Sequence, residues 1–356
     1  MSRVRVGRSE RTPRSRDSAR AVGIPSACYK AGVRSRWLLA SAALPLAGIA
    51  LLPVTEDASG AVRTDRGGPP MTVTSEATTA PLSGLDLLFI HHSCGGQLLA
   101  PGGANVGQSC IYRSHPNGGD LRARLEQRGY VVHEASYGSA VGEDTDLFDW
   151  LPKFRDHMDA VLATSHQDER LPAGRKNRIV VFKSCYPNND FVGEGQPPGD
   201  PRGPALTYWN ARATLAALLP ELAKHPDVLF VYVTAPPRAP KRSEPLYERV
   251  ARSVGLLPAR VPLEASAALA RRFDDWVTSP SGWLAGTPGT NVAVFDYYDV
   301  LTGGRSNLLV FPTGGGLDSH PASEGNRRAA ELFVPFLDGA VRRAGLAAGA
   351  AVSAAN

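Results

Sequence analysis

The chain lacks the glycine-rich signatures of nucleotide binding. No Gly-x-Gly-x-x-Gly follows its first apolar segment and no Walker-type loop occurs in its 356 residues, which argues against a dinucleotide or P-loop site. It has no internal repeat. A basic surface is missing too, although a formal net charge of +5 and a pI near 9.1 invite the opposite reading. Residues 1–36 hold ten Lys/Arg against two Asp/Glu, so residues 37–356 hold 29 against 32, a net of −3. The positive balance belongs to the leader, and the remainder has no stripe that could track a phosphate backbone, which argues against nucleic acid as a partner. Cysteine is scarce, with four residues in all, and none stands where lipoprotein attachment would need it.

What is present begins with an uncharged stretch, Trp37 to Val54, directly behind Arg34 and Arg36. It reads as the core of a signal peptide or a signal anchor. Pro45, Pro53 and the short length disfavour a spanning helix, and the small residues that follow offer a cleavage site. The expectation is a basic leader over 1–54 and export to the cell envelope or beyond, with membrane contact only through an uncleaved leader. Residues 55–84 turn to Thr, Ser, Gly, Asp and Pro without apolar periodicity, the composition of a disordered linker. The globular domain is expected over 85–346, with 347–356 as a disordered tail. In an oxidising compartment Cys94, Cys110 and Cys185 would form one bridge and leave one thiol, or form none. Cys94–Cys110 and Cys94–Cys185 are the two pairings considered.

Within the domain, apolar segments at Leu85 to Ile90, Tyr130 to Ala135, Arg178 to Ser184, Val228 to Thr234 and Val292 to Phe295 read as strands. Amphipathic segments at Gly119 to Arg128, Asp146 to Ala163, Ala205 to Lys224, Leu263 to Val277 and Ser323 to Ala344 read as helices. Strict alternation of the two argues an α/β fold with a parallel, doubly wound sheet. Gly129 suits a helix C′ position, Asp144 or Thr145 an N-cap, and Pro226 the end of the helix before the fourth strand. Asp144 and Asp146 read as helix-start residues.

Three strand-end segments carry chemistry. The first strand runs into His91-His92-Ser93-Cys94-Gly95-Gly96, so Ser93 sits on the carboxyl edge of the sheet, where ligands bind in open α/β folds. The third runs into Cys185-Tyr186-Pro187-Asn188-Asn189-Asp190; with strand order 2-1-3-4-5, Asn188 would face Ser93 across the topological switch point and its amide could donate to an oxyanion. The third segment is Gly316-Leu317-Asp318-Ser319-His320-Pro321, just before the last helix, where His320 can serve as general base with Asp318 to orient it.

These segments together resemble the SGNH hydrolases, the GDSL-like esterase and lipase superfamily, over roughly Leu85 to Ala344. Ser93 occupies the place of the family's nucleophile, Tyr137 to Thr145 resembles its second block with Gly142 as the family glycine and Gly138 in reserve, Asn188 matches its asparagine, and Asp318, His320 and Pro321 resemble its last block. Two features depart from the pattern: His91-His92-Ser93 stands where Gly-Asp-Ser is usual, and Asp318 precedes His320 by two residues rather than three.

The resemblance implies a flavodoxin-like three-layer α/β/α sandwich with a five-stranded parallel sheet. It implies hydrolysis of a carboxylic ester, with Ser93, His320 and Asp318 catalytic and the oxyanion held by Ser93, Gly142 and Asn188. No cofactor or metal is implied. The expected partner is a small-molecule or carbohydrate ester, with a short acyl group on a sugar favoured. An acyltransferase using the same residues, a metal site built from His91, His92 and His320, and a catalytically inactive binding module are the alternatives.

Overall fold

The computed structural model describes residues 84–242, 244–257, 260–287 and 291–346. The expected leader, nearly all of the expected linker and the expected tail lie outside the described residues. In chain order the elements are β1 (Asp86–Ile90), α1 (Ser93–Leu99), β2 (Val106–Gln108), β3 (Ile111–Ser114), α2 (Leu121–Gln127), β4 (Val131–Ala135), α3 (Trp150–Asp156), α4 (Met158–Ala163) and β5 (Ile179–Lys183). There follow α5 (Tyr208–Ala223), β6 (Leu229–Val233), α6 (Leu246–Ser253), α7 (Leu263–Thr278), β7 (Val292–Phe295), α8 (Tyr297–Thr302), β8 (Pro312–Thr313), β9 (Asp318–Pro321) and α9 (Ser323–Arg343).

Five strands form one parallel sheet in the order β4-β1-β5-β6-β7. Counted along the chain these are the sheet's second, first, third, fourth and fifth strands, the order expected for a doubly wound fold. The central strands are buried at every position, as the continuous apolar runs LLFI, IVVF and LFVYV require of strands covered on both faces. Alternate residues feed two separate cores. Leu88, Ile90, Val180, Phe182, Phe230 and Tyr232 pack with Trp150, Phe154, Leu218 and Phe273 on one face. Leu87, Phe89, Ile179, Val181, Leu229 and Val231 pack with Leu98, Leu125, Phe333 and Leu337 on the other. The result is a three-layer α/β/α sandwich.

Helix boundaries depart from expectation in informative places. Ser93 does not sit in a loop but starts α1, which contains Gly95 and Gly96. Both glycines spend helix propensity on close approach: a Cβ on Gly96 would lie 1.8 Å from the Cys110 carbonyl oxygen, and one on Gly95 would lie 2.4 Å from His91 Cβ. The single helix expected over 146–163 is a 3-10 turn at Leu147–Asp149 followed by α3 and α4, broken at His157, whose φ of −132° leaves the helical region. The residue closing its start is Asp146, whose N–H donates to Asp149 Oδ2 at 2.8 Å, rather than Asp144 or Thr145. Gly129 does end α2 with a left-handed φ of 93° and an N–H that donates to the Glu126 carbonyl. The approach to His320 is a short antiparallel hairpin of β8 and β9 rather than an open loop.

Candidate active site

Register places the site. β1 and β5 are neighbours with Ile90 paired to Phe182, and three residues beyond each of these stand Ser93 and Cys185. The Ser93 hydroxyl and the Cys185 sulfur are 3.2 Å apart, and the Cys185 sulfur is 3.4 Å from that of Cys94. Lys183, fully buried, donates from Nζ to the Ser184 carbonyl at 2.9 Å. The hydrogen bond with Cys94 holds the Cys185 thiol well below the usual cysteine range against the opposing effect of burial, and the Lys183 charge acts in the same direction. Burial pushes Cys94 up. Cys94 and Cys185 are buried and unbridged, and since both pairings considered from the sequence use Cys94, neither is formed; a disulfide would bring two sulfurs to about 2.05 Å.

The two histidines before Ser93 are committed to the scaffold. His91 is buried with Nε2 against Glu134 Oε1 at 2.8 Å, and the other Glu134 oxygen accepts from Arg122 at 2.5 Å. Burial of Glu134 opposes ionisation, yet His91 and Arg122 outweigh it and lower the carboxyl's pKa. His92 stacks on Tyr137 with ring centroids 3.5 Å apart and donates from Nε2 to the Gly142 carbonyl at 2.8 Å. Burial lowers its pKa to about 4, leaving it neutral at physiological pH. The Nε2 atoms of both imidazoles are already engaged, and no group of three or more His, Cys, Asp or Glu among the described residues could hold the shared metal considered from the sequence.

His320 borders Tyr186, the residue that follows Cys185. Its ring meets the Tyr186 ring edge-on at 5.2 Å between centroids, and Arg238 lies over the other ring at 4.9 Å. Asp318 reaches His320 Nδ1 at 2.6 Å through Oδ1, which also accepts from the His320 backbone N–H at 3.0 Å, while Oδ2 accepts from Thr313 Oγ1 at 2.9 Å. The spacing of two that departs from the family pattern is explained by β9: residues i and i+2 of a strand project from the same face. Burial would raise the Asp318 pKa, but His320 and Thr313 bring it down to about 2. Burial likewise opposes the charged form of His320, and Asp318 with Cys185 overcomes it, raising the imidazole pKa.

The three expected oxyanion groups are differently disposed. Ser93 N–H belongs to the first turn of α1, where a helix leaves its donors without intrahelical acceptors. Gly142 donates its N–H to Ser139 Oγ at 2.9 Å, and a Cβ there would fall 2.3 Å from the Ser136 backbone nitrogen and oxygen. Gly138, the reserve, donates its N–H to Glu143 Oε2 at 2.6 Å. Asn188, in the 3-10 turn Tyr186–Asn189, donates to Asp146 Oδ1 at 2.9 Å and to the Cys185 carbonyl at 3.3 Å, and accepts from the Leu147 N–H at 2.6 Å. Ser93 thus meets the Cys185 sulfur and His320 the Tyr186 ring, with Asp318 bonded to His320, while Gly142 and Asn188 bond to the surrounding loops. Sequence reasoning missed Cys185 and Tyr186 as the link between the serine and the histidine. The available signal was that Cys185 follows the third strand as closely as Ser93 follows the first.

No protein-family model matches this chain, and no curated protein matches it. Solved structures that resemble it in part include a salicylyl-acyltransferase from a tetracycline biosynthetic pathway, at 15% identity and a TM-score of 0.34 over 74% of this chain and 56% of the other. A carbohydrate esterase whose active site is described as displaying divergent catalytic and non-catalytic binding functions is similar at 12% identity and a TM-score of 0.30, over 74% of this chain and 67% of the other. Likeness of this size transfers no activity.

Proposed function

We propose that this chain is an exported serine esterase that cleaves a carboxylic ester, with a short acyl group on a carbohydrate as its favoured substrate class. The observation that carries this reading is the Asp318–His320 contact of 2.6 Å on the same sheet edge as Ser93, joined to it through adjacent residues Cys185 and Tyr186. With Nδ1 held by Asp318, Nε2 is the nitrogen left to take the Ser93 proton as its oxygen attacks the acyl carbon. The Ser93 N–H supports the developing oxyanion. Asn188 and Gly142 join it by exchanging their present acceptors for the substrate oxygen. The alcohol leaves with the proton from His320, and water activated by the same imidazole releases the acid from the acyl-enzyme. A fluorophosphonate probe tests the assignment: it should label the full chain and fail on Ser93→Ala, which should also lose hydrolysis of nitrophenyl acetate while melting as the parent does. Labelling that survives in Ser93→Ala ends the reading.

A further inference from the structure

The reaction above makes no use of the buried sulfurs beside its nucleophile. Cys94 is fully buried and Cys185 is 8% exposed, and each follows the end of one of two adjacent central strands. Cys185 faces Ser93 and Cys94 directly, and the charges of Lys183, His320, His92 and Asp146 also act on it or feel it. His320 in turn faces Asp318, Cys185, Lys183 and His115. Cys94 and Lys183 both favour Cys185 as a thiolate.

A negative sulfur in this place opposes ester cleavage by Ser93 in three ways. The Ser93–Cys185 contact of 3.2 Å leaves the hydroxyl as the only donor when the sulfur is a thiolate, and the serine proton is then held at sulfur rather than free for His320. The charge on sulfur stands beside the oxygen that must itself become negative. It also favours the protonated imidazole, which cannot accept a proton. A disulfide sulfur carries neither the charge nor the thiol proton, and a partner lies 3.4 Å away.

We propose that Cys94 and Cys185 are a redox pair that positions the Ser93 hydroxyl, the dithiol restraining the nucleophile and the disulfide releasing it. The proposal rests on the Ser93–His320 reading of the site. In the oxidation the Cys185 thiolate attacks an external disulfide and expels one of its sulfurs as a thiolate, then the Cys94 S–H bond breaks as Cys94 attacks Cys185 and expels the other; one S–S bond forms, two electrons pass to the external disulfide, and the single proton from Cys94 leaves with one of the two released sulfurs. Rotation of the two side chains must close the 3.4 Å separation to a bonded one. A chain held in the dithiol state before export would gain activity on reaching an oxidising compartment.

The test compares the full chain reduced with dithiothreitol and then desalted with the same chain treated with oxidised glutathione. Peptide mapping should find Cys94 joined to Cys185 only after oxidation. Hydrolysis of nitrophenyl acetate should then rise about tenfold or more in kcat/KM, as the Ser93 hydroxyl is freed from sulfur for general-base catalysis by His320. The rising limb of the pH profile should move to lower pH on oxidation. Cys94→Ser should stay slow under both treatments, and Cys185→Ala should be fast under both; Cys185→Ser serves if the alanine variant fails to fold. The proposal is overturned by a mapped disulfide with unchanged kcat/KM, by failure to form that disulfide, or by a folded Cys185→Ala or Cys185→Ser that remains slow. Loss of fluorophosphonate labelling in every redox state would instead overturn the esterase reading itself.

Discussion

His320 owes its orientation to a neighbour two positions back, and the pair makes a definite statement about pH. Its pKa is raised above the ordinary 6.5, so the base form needed to take the Ser93 proton grows in only as pH passes that higher value. The kcat/KM profile should therefore rise along a limb centred above 6.5, and Asp318→Asn should move that limb to lower pH while reducing the plateau, by roughly 10²-fold or more if the imidazole loses its orientation. A profile unmoved by Asp318→Asn would remove the carboxylate from the machinery. Stability follows from the same shifts. The contribution of protonated His320 is full below 6.5 and disappears as pH rises through its folded value, whereas that of Asp318 is present above 3.8 and disappears as pH falls through about 2.

At the level of elements, the question is what holds β1 and α1 so that Ser93 is presented at all. The His91–Glu134–Arg122 chain ties the exit of β1 to β4 and α2, and Gly95 lets the first turn of α1 lie directly on the His91 ring. Glu134 is 2% exposed and ionised more readily than a free glutamate, so its removal strands a buried imidazole and a half-buried guanidinium. Glu134→Ala should cost on the order of 3 kcal/mol, read as a lower melting midpoint by roughly 2–4 °C per kcal/mol. The contribution of Glu134 is present above the unfolded value of 4.5 and is lost as pH falls through its lower folded value, so the gap between parent and variant should narrow in acid. An equal gap at neutral and acidic pH would show that packing, rather than charge, carries the effect.

Across the whole molecule, one sheet separates two cores, and its strands are shared by both. Leu218 on one face and Phe333 on the other are each essentially inaccessible. Leu218→Ala should cost about 2–5 kcal/mol and Phe333→Ala about 3–5 kcal/mol, and each should lower a single shared transition, because a cavity on either side loosens the same strands. Two separate transitions in far-ultraviolet circular dichroism would contradict that coupling. Much of this architecture was legible beforehand. Unbroken apolar runs such as IVVF and LFVYV are short and rich in β-branched and aromatic residues, which suits strands covered on both faces, and their alternation with amphipathic segments points to a doubly wound parallel sheet. The position of Ser93 just past β1 and the contact of Asp318 with His320 were legible for a related reason: each lies where an apolar segment ends or a helix is about to start. Gly95 and Gly96 concealed α1, since glycines read locally as a turn and only the approach of Cys110 and His91 explains them inside a helix. The pairing of Ser93 with Cys185 was equally hidden, because it depends on Ile90 lying opposite Phe182, and a one-residue slip of that register would have sent every side chain to the other face. Local chemistry is written along the chain, so composition and period determined the layers and the reactive residue types. Distances between segments far apart in the chain are set by how the whole sheet closes, so only the tertiary structure decided which sulfur faces the serine and which donors are already spent.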